Sequence, residues 1–339
     1  MQYLIKILSI LIGLCVLGSC KESSEEDIVL TPEYKKVLVL FEPDSWGDDG
    51  YNDLIYRGLL NYIKEKPSDV KVNYYNPASM EVAEKMVEEW KLDTLTSKQR
   101  LLVLASPLYK ELLLRKFGDD TFNTKSRNIL LFESDEVDIE GVSTFNFCMY
   151  GVSYIAGAWV GEHGLVPLIA KAFCSDSITS YEKGFKEGYA DYYNGSESFD
   201  FVYEYLSDSE NGYNMEDSAY VMMYEWTKLS NFVFPIIGRS VSGVYRYLRE
   251  YDYGYLTVGV DSDQNEYCRV IGNMIKSVDV VLVDYLKRWG AGDTLPKKAT
   301  FDMQSGNVYW LESSTVVNKV SDELKDIAMK KEEEYESSR

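Results

Sequence analysis

The feature that most restricts this chain is one unit repeated along its length: a short apolar run rich in branched residues, a polar turn, then apolar residues at helical spacing. Lys36–Phe41, Val70–Tyr74, Leu101–Ala105, Ile129–Phe132 and Val142–Phe147 are such runs in the first half. Between them, Tyr51–Lys64 carries Leu54, Ile55, Leu59 and Ile63 on one helical face, Val82–Trp90 carries Val82, Met86, Val87 and Trp90, and Leu108–Phe117 continues the alternation. Near-continuous apolar runs belong to strands covered on both faces, and strands alternating with helices belong to parallel sheets closed by crossover helices. The second half repeats the unit. Leu165–Ala172, Phe201–Tyr205, Phe232–Ile237 and Leu256–Val260 read as strands, Ile178–Tyr193 and Ser218–Leu229 as helices. Thr300–Trp310 supplies closing strands, and Ser321–Ser338 reads as a charged surface helix frayed at its end. The expected class is α/β, with two doubly wound Rossmann-like lobes.

In open parallel sheets, ligands gather outside the carboxyl ends of the strands. The first strand runs into an Asp- and Gly-rich loop that ends Asp48-Asp49-Gly50-Tyr51-Asn52-Asp53. A ring at Tyr51 suits stacking on a flat ligand, and Asn52 offers both a donor and an acceptor. Residues such as Asp48 and Asn52 also cap helices, so capping and ligand contact both remain open there. Other strand tips are Ala105-Ser106-Pro107, Glu133-Ser134-Asp135 and Gly238-Arg239-Ser240-Val241-Ser242-Gly243. The sharpest tip is Leu256-Thr257-Val258-Gly259-Val260-Asp261-Ser262-Asp263-Gln264, where an apolar run breaks into acids and an amide. A carboxylate such as Asp261 accepts two hydrogen bonds at once. Lys276 reads by position as a cation solvated near a helix end.

Several chemistries are excluded. A formal charge of −20 repels phosphate backbones, so no nucleic-acid partner is expected. Asp261-x-Asp263-x-Asn265 begins like a calcium loop but lacks its sixth-position Gly and twelfth-position Glu, so no metal is expected. The Gly238–Gly243 turn lacks the Lys-Ser/Thr of a P-loop. His163 is the only histidine, no Gly-x-Ser-x-Gly elbow is present, and Ser180-x-x-Lys183 stands without its companion motifs. No cofactor and no catalytic residue are expected. A cleft hydrolase acting on glycans through paired carboxylates stays open, because acids are abundant. Cys148, Cys174 and Cys268 read as mostly buried small hydrophobes, with no C-x-x-C spacing among them.

The N-terminus has its own character. Lys6 precedes an apolar run from Ile7 to Leu17, too short for a comfortable membrane span and suited to a signal peptide. It ends Leu17-Gly18-Ser19-Cys20, which resembles a bacterial lipobox and implies lipidation at Cys20. Residues 1–19 are then the signal, and 20–30 an acidic tether whose Lys-Glu-Ser-Ser-Glu-Glu-Asp resembles a surface-export signal.

Six runs stand in one order: Asp48 through Leu59, Tyr154-Ile155-Ala156-Gly157, Gly184-Phe185-Lys186-Glu187-Gly188, Gly238–Gly243, Gly259-Val260-Asp261-Ser262-Asp263-Gln264, and Met274-Ile275-Lys276-Ser277-Val278-Asp279. Together they resemble the basic-membrane-protein (BMP) family of substrate-binding lipoproteins, which includes purine-nucleoside receptors. The resemblance implies the periplasmic-binding-protein type 1 fold, two lobes joined by a three-crossing hinge. It places the first lobe at 31–147 plus 262–288, the second at 149–261 plus 289–320, and a charged C-terminal helix at 321–339. It implies ligand contacts from Asp48, Tyr51, Asn52, Ser106, Gly238, Ser240, Asp261 and Lys276. The partners implied are a small solute such as a purine nucleoside, an ABC permease, and the bacterial envelope membrane through the lipid anchor, facing periplasm or cell surface. The chain departs from the family pattern at Tyr51 (Phe in the family), Ser106 (a Gly-rich turn), Glu133 (Asp) and Val241 (Gly), and lacks a Gly-Gly after the strand at 165–172. Those departures keep a second expectation in view, a surface lipoprotein of the same fold without a transport ligand.

Overall fold

The computed structural model describes residues 34–93, 99–118, 127–134, 137–174, 179–195, 200–251, 254–266, 268–316 and 319–339. The signal peptide, Cys20 and the tether lie outside the described residues, as does Asp135.

Strands β1 (Lys35–Phe41), β2 (Val70–Tyr75), β3 (Arg100–Ala105), β4 (Arg127–Phe132), β5 (Val142–Phe147) and β11 (Lys298–Phe301) make one six-stranded sheet in the order β11-β5-β4-β3-β1-β2. Every pair in it is parallel. Strands β6 (Pro167–Phe173), β7 (Val202–Ser207), β8 (Phe232–Ile236), β9 (Leu256–Asp261), β10 (Val270–Lys276) and β12 (Val308–Glu312) make the second, ordered β12-β10-β9-β8-β6-β7. Only β12 in this sheet runs antiparallel, along β10. Strands β3 and β10 are buried along their whole length, and the unalternating apolar run of β3 requires it.

The helices are α1 (Tyr51–Glu65), α2 (Met80–Leu92), α3 (Lys110–Phe117), α4 (Tyr150–Glu162), α5 (Ser180–Tyr192), α6 (Glu216–Leu229), α7 (Val241–Glu250), α8 (Val278–Ala291) and, after the last described strand, α9 (Asp322–Ser337). Helix α4 is apolar on every side and buried from Tyr150 to Gly161, as a helix without a polar face must be. It lies close against α5 because glycine stands at the contact. A Cβ at Gly157 would overlap the Phe185 carbonyl oxygen and lie 2.8 Å from the Tyr189 nitrogen.

The chain passes between the sheets three times: from β5 into α4, from β10 into α8, and from β11 into β12. Two of these crossings fall elsewhere than the family resemblance implies. Residues 262–288 are expected in the first lobe, yet β10 pairs with β9 in the second sheet, and only α8 returns to pack on α1. Residues 289–320 are expected in the second lobe, yet β11 extends the first sheet beside β5. The physical reason for the first shift is the tip at Asp261. The loop after it turns back, and the Asn273 side chain accepts from the Gln264 backbone N–H at 2.9 Å, seating a buried apolar strand parallel to β9. The C-terminal helix also differs from the surface helix expected. Leu324, Ala328 and Glu332 of α9 are buried, and Tyr335 stacks on Tyr150 of α4 at 4.6 Å between ring centroids.

Candidate ligand-binding site

The carboxyl ends of both sheets meet along a seam, and the expected residues gather there in two groups. At the centre of the first is Lys276, at the end of β10. Its side chain is 6 % exposed, and its ammonium lies 3.1 and 3.2 Å from the Glu133 carboxylate oxygens and 3.5 Å from Asp261. Glu133 belongs to the tip of β4 in the first lobe and Asp261 to the tip of β9 in the second, so one cation joins both walls. The Tyr51 ring lies 5.0 Å from the ammonium, Phe147 5.5 Å and Tyr181 5.7 Å, close enough for cation–π attraction. The Tyr181 hydroxyl donates to Asp261 at 2.8 Å.

Glu133 and Asp261 share a backbone peculiarity. Their φ values are +50° and +65°, the left-handed region that residues with a Cβ avoid at a cost of about 1–3 kcal/mol. Both strand ends therefore turn abruptly, and both turns aim a carboxylate at the same ammonium.

The electrostatics follow the geometry. Burial pulls the Lys276 pKa down, but the Asp261 and Glu133 carboxylates outweigh it and hold the ammonium well above its ordinary range. Burial pushes the Tyr51 hydroxyl well up, and Glu133 beside it adds to the shift. Tyr181 is raised the same way, by burial first and then by Asp261. At neutral pH the group therefore presents an ammonium and neutral phenols. A crevice of about 660 Å³ opens beside it, lined from the first lobe by Asp49, Asp53 and Arg57 and from the second by Ser262, Asp263 and Lys276.

Asp48 and Asn52 stand behind Tyr51. The Asp48 carboxylate accepts from the backbone N–H groups of Gly50, Asn52 and Asp53 at 3.0–3.2 Å and from the Asn52 side-chain amide at 2.9 Å. Here the capping role is realised: Asp48 satisfies the orphan amides that open α1. Burial nonetheless raises its pKa, although those hydrogen bonds pull the other way. Asn52 is 3 % exposed and its Oδ1 has no donor among the described residues.

The second group centres on Glu42, directly after β1. Ser106 donates to it at 3.0 Å, and Arg239 and Asn214 face it from the second lobe. Burial raises the Glu42 pKa, opposed by Ser106 and reinforced by Asp48. Arg239 also spans the seam, donating to the Asp44 carbonyl, and pairs with Glu216 within its own lobe at 2.5 Å. Gly238 has φ +55°, and a Cβ there would press on the Tyr213 ring at 2.8 Å. The Ser240 hydroxyl is engaged within its lobe, donating to the Gly212 carbonyl at 2.8 Å and accepting from the Met215 N–H at 2.6 Å. The structure thus brings Tyr51, Asp261 and Lys276 into one cluster, joins Asp48 to Asn52 at the start of α1, and puts Ser106 on Glu42, with Gly238 and Ser240 in the turn that carries Arg239.

Sequence reasoning misses Glu42, Tyr181 and Arg239. Glu42 is the first residue past β1 and Arg239 stands inside the Gly238–Gly243 turn, so position alone is enough to nominate both. Tyr181 gives no signal, because its contact with Asp261 joins residues eighty apart in the chain.

The pattern of the Bmp family, described as "ABC transporter substrate-binding protein PnrA-like", matches residues 35–337. The chain belongs to the Bmp family. Its fold is that of periplasmic-binding-protein type 1 solute receptors. A solute-binding protein of an ABC transporter system from Aeropyrum pernix K1 superposes with a TM-score of 0.66 at 17 % identity, covering 88 % of this chain and 86 % of that one. A transcriptional activator of the comK gene from Bacillus halodurans gives a TM-score of 0.62 at 20 % identity, covering 89 % and 97 %. A solute-binding protein from Burkholderia graminis C4D1M, in complex with D-arabinose, gives 0.56 at 11 % identity, covering 86 % and 99 %. None of the curated proteins matches the chain. Membership in a family of transport receptors makes this Bmp protein a solute-binding component and sets aside the glycan hydrolase. Among the described residues no helix is long and apolar enough to cross a membrane.

Proposed function

We propose that this Bmp protein is a lipid-anchored receptor that traps a small, polar, ring-bearing solute of the nucleoside kind between its lobes and delivers it to an ABC permease. The observation that carries the reading is the cluster at the seam. Tyr51 and Phe147 supply ring faces, Asp261 and Glu133 supply carboxylates for paired hydroxyls, and Lys276 supplies a cation between them. Asn52 Oδ1, buried without a donor, fits an N–H of a heterocycle. Asp48, Ser106 and Ser240, bonded within their own lobes, and Gly238, whose backbone turns there, hold the loop ends along the seam. The anchor is a lipid on Cys20, supported by Leu17-Gly18-Ser19-Cys20, and it holds the chain on the bacterial envelope.

The test is thermal stabilisation of the chain lacking its signal peptide by purine nucleosides, free bases and pentoses, followed by calorimetry. A nucleoside at a hundred times its Kd raises stability by about 2.7 kcal/mol. Asp261→Asn should abolish that gain, and free pentose should produce little of it. Stabilisation by none of these compounds would sink the reading. It would favour instead a protein of this fold that carries no transport ligand, a reading supported by the Lys276–Glu133 bridge, which already links the two walls.

A further inference from the structure

The C-terminal helix carries a buried acid that the seam does not use. Glu332 of α9 is 2 % exposed. Its Oε1 accepts the Gly151 N–H at 2.9 Å, and its Oε2 accepts the Met303 N–H at 2.8 Å. Gly151 lies in the first turn of α4, just past the crossing out of β5, and Met303 lies in the crossing from β11 to β12. These two crossings are also bonded to each other, since the Cys148 N–H donates to the Phe301 carbonyl at 2.8 Å. Helix α9 is itself fastened to the second lobe. Lys331 donates to Glu187 at 2.6 Å, Lys331 lies 3.4 Å from Asp191, and Leu324 and Ala328 are buried. One carboxylate, on a helix that is the last element of the chain, therefore grips two of the three connections about which the lobes would turn.

We propose that Glu332 is a positioning residue for solute capture: its ionised carboxylate pins two interlobe crossings to the C-terminal helix, and protonation loosens the pin, making the hinge freer in mildly acid medium. The inference rests on the reading that the lobes close over a solute. An ionised carboxylate accepts on both oxygens. A neutral carboxyl turns one oxygen into a donor, so one of the two amides loses its partner, and the remaining bond loses its charge assistance. The titration falls in a usable range. Burial pushes the Glu332 pKa up, the Gly151 and Met303 amides pull it back, Asp302 pushes it up again, and it settles at about 7.

The thiol and the phenols beside it titrate above that range. The Cys148 thiol, on the first crossing, is pushed far up by burial and then by Glu332 and Glu336, so it stays protonated. Tyr335 on the same helix and Tyr150 on α4 are raised by burial, and Lys183 holds its ammonium 5.2 Å from the Tyr335 ring. The sign follows. The folded pKa lies above the ordinary 4.5 because burial outweighs the two amides, so an opening that exposed Glu332 to water would be favoured by higher pH. A loosening that keeps the carboxyl buried and gives up one amide raises its pKa further, so proton uptake as pH falls through about 7 favours that loosening while the chain is still folded.

The experiment is amide hydrogen exchange on the chain from residue 21 onward, from pH 5.5 to 8.5, with rates corrected for intrinsic exchange. Protection at Gly151 and Met303 should rise roughly three- to tenfold across the range, as expected for gaining a charge-assisted bond. Its midpoint should lie near 7, and peptides of β3 should stay flat. Glu332→Gln should remove the pH dependence. A flat wild-type profile, or the same profile in the Gln variant, overturns the proposal. If Glu332→Gln does not fold, the carboxyl ¹³C titration of Glu332 in the wild type decides. A midpoint near 7 supports the pin, and one below about 5 refutes it. No solute enters the experiment, so its failure leaves the receptor reading standing, and a chain that binds no nucleoside still reports on the hinge.

Discussion

Replacing Lys276 by Met tests the centre of the site directly. Met keeps the length and apolar stem of the side chain and removes only the cation. At an effective dielectric near 20, an ammonium 3.1 Å from Glu133 and 3.5 Å from Asp261 has about 5 kcal/mol of gross attraction to each. Most of that is offset by the desolvation of a buried ammonium. Removing one partner of a buried pair costs about 3–5 kcal/mol when the remaining charge is sealed off. Here Glu133 and Asp261 keep 23 % and 17 % of their side-chain surface, and Asp261 keeps its bond from Tyr181, so both can recover some hydration. The net loss should therefore be about 2–3 kcal/mol, read as a shift of the urea midpoint at pH 7.5. A double-mutant cycle with Glu133→Gln should give a coupling of about 1–2 kcal/mol. The pH sign is fixed as well. The Lys276 pKa is raised, so its contribution is intact below 10.5 and lost only as pH climbs beyond. A loss under about 0.5 kcal/mol, zero coupling in the cycle, or a Lys276-dependent fall in stability between about pH 6 and 9 would each refute the picture of one cation holding both walls.

Further perturbations test the frame around the site. Gly157→Ala forces a methyl into the backbone of α5, which no side-chain rotation can relieve, so thermal unfolding should show a loss of about 3 kcal/mol, with near-wild-type behaviour meaning that α4 and α5 lie farther apart. Arg239→Ala removes the bond to the Asp44 carbonyl while leaving stability within about 1 kcal/mol, and stopped-flow release of a bound nucleoside should accelerate several-fold; an unchanged release rate would mean that this contact does not hold the lobes together. In a chain that starts after Cys20, a thiol reagent should label Cys174 rapidly under native conditions, while Cys148 and Cys268 wait for unfolding. Both of the latter are buried, and burial pushes the Cys268 thiol up to about 12.

Much of the architecture is legible in the chain alone. Unalternating apolar runs such as Leu101–Ala105 mark strands covered on both faces, and their alternation with helical segments calls for parallel sheets. The strand at Val270–Lys276 is hidden for an equally physical reason. It runs with one residue between its end and α8, so the two apolar segments merge, and Gly272-Asn273 interrupts the branched pattern. The C-terminal helix reads as polar because most of its residues are, yet Leu324, Ala328 and Glu332 are buried, and Glu332 bonds to two crossings.

Local sequence was enough to set the class of fold, the places where loops leave the strand tips, and the residues Tyr51, Asn52 and Asp261 standing at them. Hydrophobic spacing and turn chemistry are properties of neighbouring residues, and they survive in a one-dimensional text. Three-dimensional packing was needed to put β10 in the second sheet and β11 in the first, to give Glu133 and Asp261 one ammonium to share, and to let Glu332 grip two crossings. Those facts depend on which distant segments end up beside one another. That is set by the fit of whole sheets and helices, and it leaves no periodic mark in the chain.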